Sequence, residues 1–277
     1  ARMALARLEH LVVQDIFLTE TAMYADVVLP ASAWPEKLGT VTNTNRQVQL
    51  GRPALEPPGE ARQDWWIVQE MARRLGLAWN YRGPAEVFAE MKRVMPSLDN
   101  ITWARLEREG TIAYPCPAPD HPGEGVIFAD RFPTADGRAR LVPVSPVPSS
   151  EQPDEDYPFV LITGRTLEHW HTGAMTRRAE VLDVLEPEPF CAMAGADLER
   201  LGLAPGDRLR LSTRRGTIEL MAREDPAIAP GTVFVPFCYV EAAANLLTRP
   251  ELDPWGKIPE FKFSAARVGP ARSTAGP

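Results

Sequence analysis

Apolar residues come in short runs at the start of the chain. Leu11 to Val13 is followed by polar Gln14 and Asp15, the pattern of a buried strand with a polar carboxyl end. Asp26 to Leu29 repeats the pattern and stops at Pro30. Between them, Thr19 to Ala25 suits a short helix with Thr19 as N-cap. A strand, a short helix and a strand on tight links predict a parallel α/β sheet. Such sheets bind ligands at the carboxyl ends of their strands. Here those ends are Gln14-Asp15 and Pro30-Ala31-Ser32. Ahead of the first strand, Ala1 to His10 reads as a helix leading straight into it. A chain that opens inside a folded element is expected to be part of a longer one.

Gly39 to Arg46 is polar and rich in turn formers. Asp64 then stands as the expected N-cap of a helix whose Trp65, Val68, Met71, Ala72 and Leu75 share one face. Gly76 is its expected stop. A second helix is predicted from Pro84 to Val94, with proline at its first turn. Prolines cluster in Tyr114 to Pro122 and again in Pro143 to Pro158, where an acidic run joins them. The main boundary is placed there. This divides the chain into an α/β layer over 1–112, a proline-rich linker over 113–157 and a second domain over 158–277. In the second domain strands dominate. Phe159 to Thr163 and Thr232 to Pro236 are apolar runs. Asp207 to Thr213 and Gly216 to Ala222 alternate about Arg214-Arg215-Gly216 as a hairpin would. Gly195 to Leu203 holds a short helix, and Leu203-Ala204-Pro205-Gly206-Asp207 is a turn feeding a strand. A compact β-barrel is expected.

Composition narrows the function. The chain has 30 Lys plus Arg against 37 Asp plus Glu, a net charge of −7, which argues against a nucleic-acid partner. Its 3 cysteines, Cys116, Cys191 and Cys238, are far apart and form no CxxC pair. They read as thiols of a reducing compartment rather than as zinc or cluster ligands. No run of about 18 apolar residues suits a membrane span, and a cytoplasmic location is expected.

Several segments, in order, carry a family resemblance: Val12-Val13-Gln14-Asp15 with Ala25-Asp26-Val27-Val28-Leu29-Pro30; Glu36-Lys37-Leu38-Gly39-Thr40-Val41-Thr42-Asn43-Thr44 with Arg46; Gln63-Asp64-Trp65-Trp66; Thr163-Gly164-Arg165 with His169, His171 and Met175-Thr176-Arg177; Leu203-Ala204-Pro205-Gly206-Asp207; and Pro259-Glu260-Phe261-Lys262. Together they resemble the molybdopterin oxidoreductases, and among them the formate dehydrogenase catalytic subunits, towards their C-terminal end. The resemblance implies an α/β nucleotide-binding layer followed by a double-psi-like barrel that binds a molybdopterin dinucleotide. The implied cofactor is a molybdenum or tungsten ion held by two molybdopterin guanine dinucleotides, cradled together with the rest of the subunit. The implied parent reaction is formate oxidation, with electrons leaving through iron–sulfur centres to iron–sulfur or flavin subunits.

The resemblance also marks residues. Asp64 matches a guanine contact, and a carboxylate at a helix start is able to accept both guanine donors, although Asp is also an ordinary N-cap. Gln14 and, through its backbone, Ala31 match nucleotide contacts. Arg165, Thr166, His169 and His171 crowd one loop after a strand, where arginine and imidazole donors suit a pyrophosphate or pterin. Two histidines spaced by two also suggest a metal, but no third ligand is in sight. Asn245 and Lys262 match later pterin contacts, and Phe261 stands where relatives often carry tyrosine. The family's metal-ligating cysteine or selenocysteine, its catalytic histidine and arginine, and its iron–sulfur cysteines all fall in segments preceding Ala1. No catalytic or metal-binding residue is therefore assigned, and the chain alone is expected to be inactive. The alternatives are a nitrate reductase-type subunit and a complex-I-like scaffold that has lost the cofactor.

Overall fold

The computed structural model describes residues 2–271. The chain divides into two compact units, Ala1–Val142 and Pro143–Pro277.

In the first unit, α1 (Arg2–Leu5) is a single turn of the expected longer helix, whose first residue lies outside the described residues. Strand β1 (Val12–Asp15) pairs in parallel with β2 (Val27–Pro30), Gln14 opposite Leu29, as the sequence predicted. The helix expected between them is reduced to a 3-10 turn, Ala22–Tyr24. The Thr19 hydroxyl still accepts from the Ala22 amide at 3.5 Å. Burial of the strands is corrected. Val12, Val27 and Val28 are exposed, because the pair forms a two-stranded sheet rather than the interior of a wider one.

The core of this unit lies elsewhere. Strands β3 (Gly39–Thr42) and β4 (Gln47–Gly51) form an antiparallel hairpin around Asn43 to Arg46. Asn43 Oδ1 accepts the Gln47 amide at 2.9 Å, and Arg46 takes the positive φ of 65° that closes the turn. Helices α2 (Asp64–Arg74), α3 (Pro84–Val94) and α4 (Trp103–Glu109) follow, and β5 (Thr111–Ala113) completes the sheet in the order β3-β4-β5. Val48, Phe88, Leu98, Ile101, Leu106, Ile112 and Cys116 pack as one cluster between this sheet and the α3–α4 pair. The predicted apolar face of α2 is corrected. Ala72 is buried as expected, but Val68, Met71 and Leu75 are exposed, and Ile67 and Gln69 turn inward beside it. Gln69 is held there because its amide bonds both backbone groups of Tyr81, accepting at 2.6 Å and donating at 3.2 Å. The start of the proline-rich stretch folds back on this unit. Buried Arg105 donates to the carbonyls of Asn100 at 2.9 Å and His121 at 3.1 Å, with Glu109 neutralising it at 2.9 Å.

The second unit is a closed six-stranded barrel in the order β10-β6-β11-β8-β9-β7. Its strands are β6 (Phe159–Gly164), β7 (Phe190–Met193), β8 (Arg208–Ser212), β9 (Thr217–Glu224), β10 (Thr232–Pro236) and β11 (Ser264–Pro270). Helix α5 (Glu180–Leu185) precedes β7, and α6 (Gly195–Leu201) follows it. Two pairings are parallel, β6 with β10 and β7 with β9. The expected hairpin is β8–β9, with Arg210 opposite Glu219. Alternation fills the interior: Phe159, Leu161, Leu209, Leu211, Leu220, Val233 and Val235 point inward, while the residues between them face out. Glu151, ahead of the barrel, accepts from the Ala265 amide at 2.6 Å and forms an ion pair with Arg215 of the hairpin turn. That contact clamps the acidic run onto the barrel. Residues 272–277 of the expected barrel domain lie outside the described residues.

Candidate functional site

Two groups of side chains stand out, one in each unit. In the first, Gln14 sits at the carboxyl end of β1, and its amide donates to Asp64 Oδ1 at 2.7 Å. Lys37, just after the turn Trp34–Glu36, donates to Asp64 Oδ2 at 2.5 Å. Asp64 is the first residue of α2 rather than its N-cap. The cap is Gln63, which makes no side-chain cap bond, and the Asp64 carboxylate serves Gln14 and Lys37. Partial burial pushes the Asp64 carboxyl up, but the Lys37 ammonium and Gln14 amide outweigh it and hold the group below its ordinary value. It is therefore ionised at neutral pH. Lys37 and Asp64 line a cleft of about 400 Å³ with Trp34, Trp65, Val87 and Met91. Ala31 is buried and bridged to Arg62, shortly before Asp64 in the chain, with its amide given to the Asp15 carbonyl at 3.0 Å. Lys37 was not singled out from the sequence. Its signal was a lone cation within Glu36-Lys37-Leu38-Gly39, indistinguishable there from a surface lysine.

In the second unit, barrel register builds the site. Parallel β6 and β10 end together, Gly164 opposite Pro236, and the Phe237 amide donates to the Gly164 carbonyl at 3.1 Å. Antiparallel β11 starts beside the same end, Ser264 opposite Leu161. The Thr163 hydroxyl consequently donates to the Phe261 carbonyl at 2.7 Å, and the Lys262 ammonium donates to the Thr163 carbonyl at 2.7 Å. Gly164 leaves no room for a side chain, since a Cβ there would stand 2.4 Å from the Phe234 ring. Arg165 leaves the strand end at this point. It reaches His171 Nε2 at 3.0 Å and lies over the Trp170 ring at 5.2 Å. A guanidinium only donates, so His171 offers it a lone pair.

Arg165, His171, Asn245 and Lys262 meet on one cavity of about 670 Å³, floored by Phe237 and Phe261. Thr163 and Thr172 complete its wall, and no carboxylate lines it. The cavity is cationic and rich in donors, the chemistry an anionic ligand with an apolar ring system requires.

Thr166 and His169 hold the loop from behind. His169 is 1% exposed. Its Nε2 meets the Glu186 carbonyl at 2.8 Å, its Nδ1 the Thr176 hydroxyl at 3.4 Å, and its ring sits edge-on to Tyr239. Thr166 Oγ1 accepts the His169 amide at 3.3 Å. Both ring nitrogens of His169 are thus committed inside the protein, away from the cavity. Among the described residues, no three His, Cys, Asp or Glu side chains assemble a metal site.

The first unit thus holds a carboxylate cleft beside a parallel strand pair, and the second a cationic cavity at the strand ends of a barrel. Residues 1–74 match the molybdopterin oxidoreductase family model, and residues 159–265 match that of the molybdopterin dinucleotide binding domain. The F420-dependent formate dehydrogenase subunit alpha of Methanocaldococcus jannaschii is 46% identical over 96% of this chain and 40% of its own length. The assimilatory nitrate reductase catalytic subunit of Bacillus subtilis is 36% identical over 96% of this chain and 39% of its own. Acetylene hydratase from Pelobacter acetylenicus shares the fold, with a TM-score of 0.75 at 20% identity, covering 98% of this chain and 42% of that one. The chain belongs to the molybdopterin oxidoreductase family. It spans about 40% of the length of the formate dehydrogenase subunit it matches.

Proposed function

We propose that this chain is the cofactor-holding part of a formate dehydrogenase-type oxidoreductase, and that it grips a bis-molybdopterin guanine dinucleotide carrying molybdenum or tungsten. The observation that carries this is the cavity where Arg165, His171, Asn245 and Lys262 converge with no carboxylate among its walls. The residues present fit the group. Arg165 and Lys262 supply positive charge for a pyrophosphate, His171 and Asn245 supply polar contacts for phosphate or pterin heteroatoms, and Phe237 and Phe261 supply a flat apolar surface. Asp64 offers acceptors to a base, with Gln14 steadying the carboxylate and the Ala31 backbone bridged to Arg62, just ahead of Asp64 in the chain. When bound, the cofactor supplies the two-electron redox chemistry. The part played by this chain is to bind and orient it and to shield it from water.

Formate is proposed as the substrate of the whole enzyme, its oxidation to carbon dioxide releasing two electrons and one proton. The greater identity to the formate dehydrogenase subunit than to the nitrate reductase supports formate over nitrate. The intact Asp64 cluster and cationic cavity speak against a scaffold that has lost its cofactor. Electrons are taken to leave through iron–sulfur centres to iron–sulfur or flavin subunits, which accords with relatives named as alpha subunits. The three free cysteines, all buried, accord with a reducing compartment, and we place the enzyme in the cytoplasm. No described helix is long and apolar enough to cross a membrane.

The test is a dye-reduction assay on the full-length protein with formate and on this chain alone. The expected outcome is formate-dependent reduction by the full-length protein and none by the 277-residue chain. Nitrate-dependent dye oxidation without formate activity would move the assignment to the nitrate reductase branch.

A further inference from the structure

The Lys37–Asp64 pair bears on which base the cleft accepts, an inference that rests on the reading that Asp64 faces the base of the dinucleotide. Lys37 gives one ammonium proton to Asp64 Oδ2 at 2.5 Å, and Gln14 occupies one position on Oδ1 at 2.7 Å. Each carboxylate oxygen therefore keeps an acceptor position, and the ammonium keeps two donors. The two side chains are 34% and 44% exposed, so these positions are reachable. They line the same cleft as the indoles of Trp34 and Trp65, flat apolar surfaces of the kind that pack on a base. The cleft thus presents two acceptors next to a cationic donor. Guanine alone among the common bases carries two adjacent donors, N1–H and the 2-amino group, beside an acceptor, O6. Adenine and cytosine each place one amine beside a ring acceptor, and would leave a carboxylate oxygen without a new partner. Uracil sets its single N–H between two carbonyls.

We propose that Lys37 is a specificity-determining residue, donating to guanine O6 while Asp64 accepts N1–H and the 2-amino group. A lysine present only to neutralise Asp64 would act on every nucleotide alike, whereas this role changes the ratio between bases. The test is calorimetric titration of the purified chain with GMP, IMP and AMP, with circular dichroism confirming that each variant is folded. The wild-type chain is expected to prefer GMP over IMP, and IMP over AMP. Lys37→Met should lower the GMP-to-AMP preference by about ten-fold, the scale of one charge-assisted hydrogen bond, and Lys37→Arg should retain most of it. Asp64→Asn should weaken GMP more than IMP, since IMP lacks the 2-amino group. If Lys37→Met weakens all three nucleotides equally, or none, the Lys37 proposal is overturned while Asp64→Asn still reports on the base contact. If the folded wild-type chain shows no preference for GMP, the base-facing reading of Asp64 fails, and the Lys37 proposal fails with it.

Discussion

Truncating His169 and Arg165 separately distinguishes the side chain that holds the loop from the one that faces the cavity. His169→Ala removes a 2.8 Å hydrogen bond to the Glu186 carbonyl and an edge contact with Tyr239 from a site that is 1% exposed. A neutral hydrogen bond is worth about 1 kcal/mol net, and an aromatic edge contact about 0.5–1.5 kcal/mol. The void left by the ring adds about 1 kcal/mol more, because the packing around it relaxes only partly. The variant should therefore lose about 2–4 kcal/mol of stability. Arg165 is exposed, and its partners are His171 and the Trp170 ring. Arg165→Ala should cost within about 0.5 kcal/mol, yet lower cofactor content in the full-length enzyme. Urea unfolding of the chain by circular dichroism supplies the first number, and metal analysis of the full-length variants supplies the second. If His169→Ala keeps wild-type stability but loses cofactor, the ring is a direct ligand and the positioning role is wrong.

Three further outcomes are expected. Gly164→Ala should lose about 1–3 kcal/mol by forcing a Cβ against Phe234, and a melting temperature equal to wild type would show that the strand end is looser than described. Leu220→Ala, at a fully buried barrel position, should cost about 2–5 kcal/mol, read from the urea midpoint; a change under about 0.5 kcal/mol would contradict a close-packed barrel interior. Asp64 has a lowered folded-state pKa, so its cluster contributes stability above the ordinary value of 3.8, and that contribution is lost as pH falls through the lowered value. Because Asp64 is 44% exposed, solvent screening keeps this below about 1 kcal/mol. Urea midpoints of wild type and Asp64→Asn should differ at pH 7 and converge in acid, and a constant gap would remove Asp64 as the cause.

Local pattern made some of the molecule legible. The apolar runs Phe159 to Thr163 and Thr232 to Pro236 became β6 and β10, and the alternation around Arg214-Arg215-Gly216 became the β8–β9 hairpin. Pro84 opened α3. What stayed hidden depends on distant partners. Gly39 to Arg46 reads as a turn-rich stretch because its strand, β3, gains its place through β4, which also pairs with the distant β5. Strand β11 opens on Ser264, Ala265 and Ala266, too small to signal a core until barrel closure buries them. The inward face of α2 is not legible in its own pattern, because Tyr81, well beyond the helix, draws Gln69 in. At the site, Arg165 and Lys262 were nameable from their residue types and family context, and the β6–β11 pairing explains why they meet. The direction of His169 was not nameable. A histidine two residues from another histidine looks like a ligand until its distant neighbour, the Glu186 carbonyl, is known. Lys37 is hidden for a related reason, since its carboxylate partner is Asp64, on another element.

A structure of the full-length, cofactor-loaded enzyme tests most directly whether the barrel cavity and the Asp64 cleft hold the dinucleotide cofactor. The expected result is a pyrophosphate or pterin group within hydrogen-bonding distance of Arg165, His171 and Lys262, with a guanine facing Asp64. A fully loaded enzyme whose cofactor touches none of these side chains would contradict it.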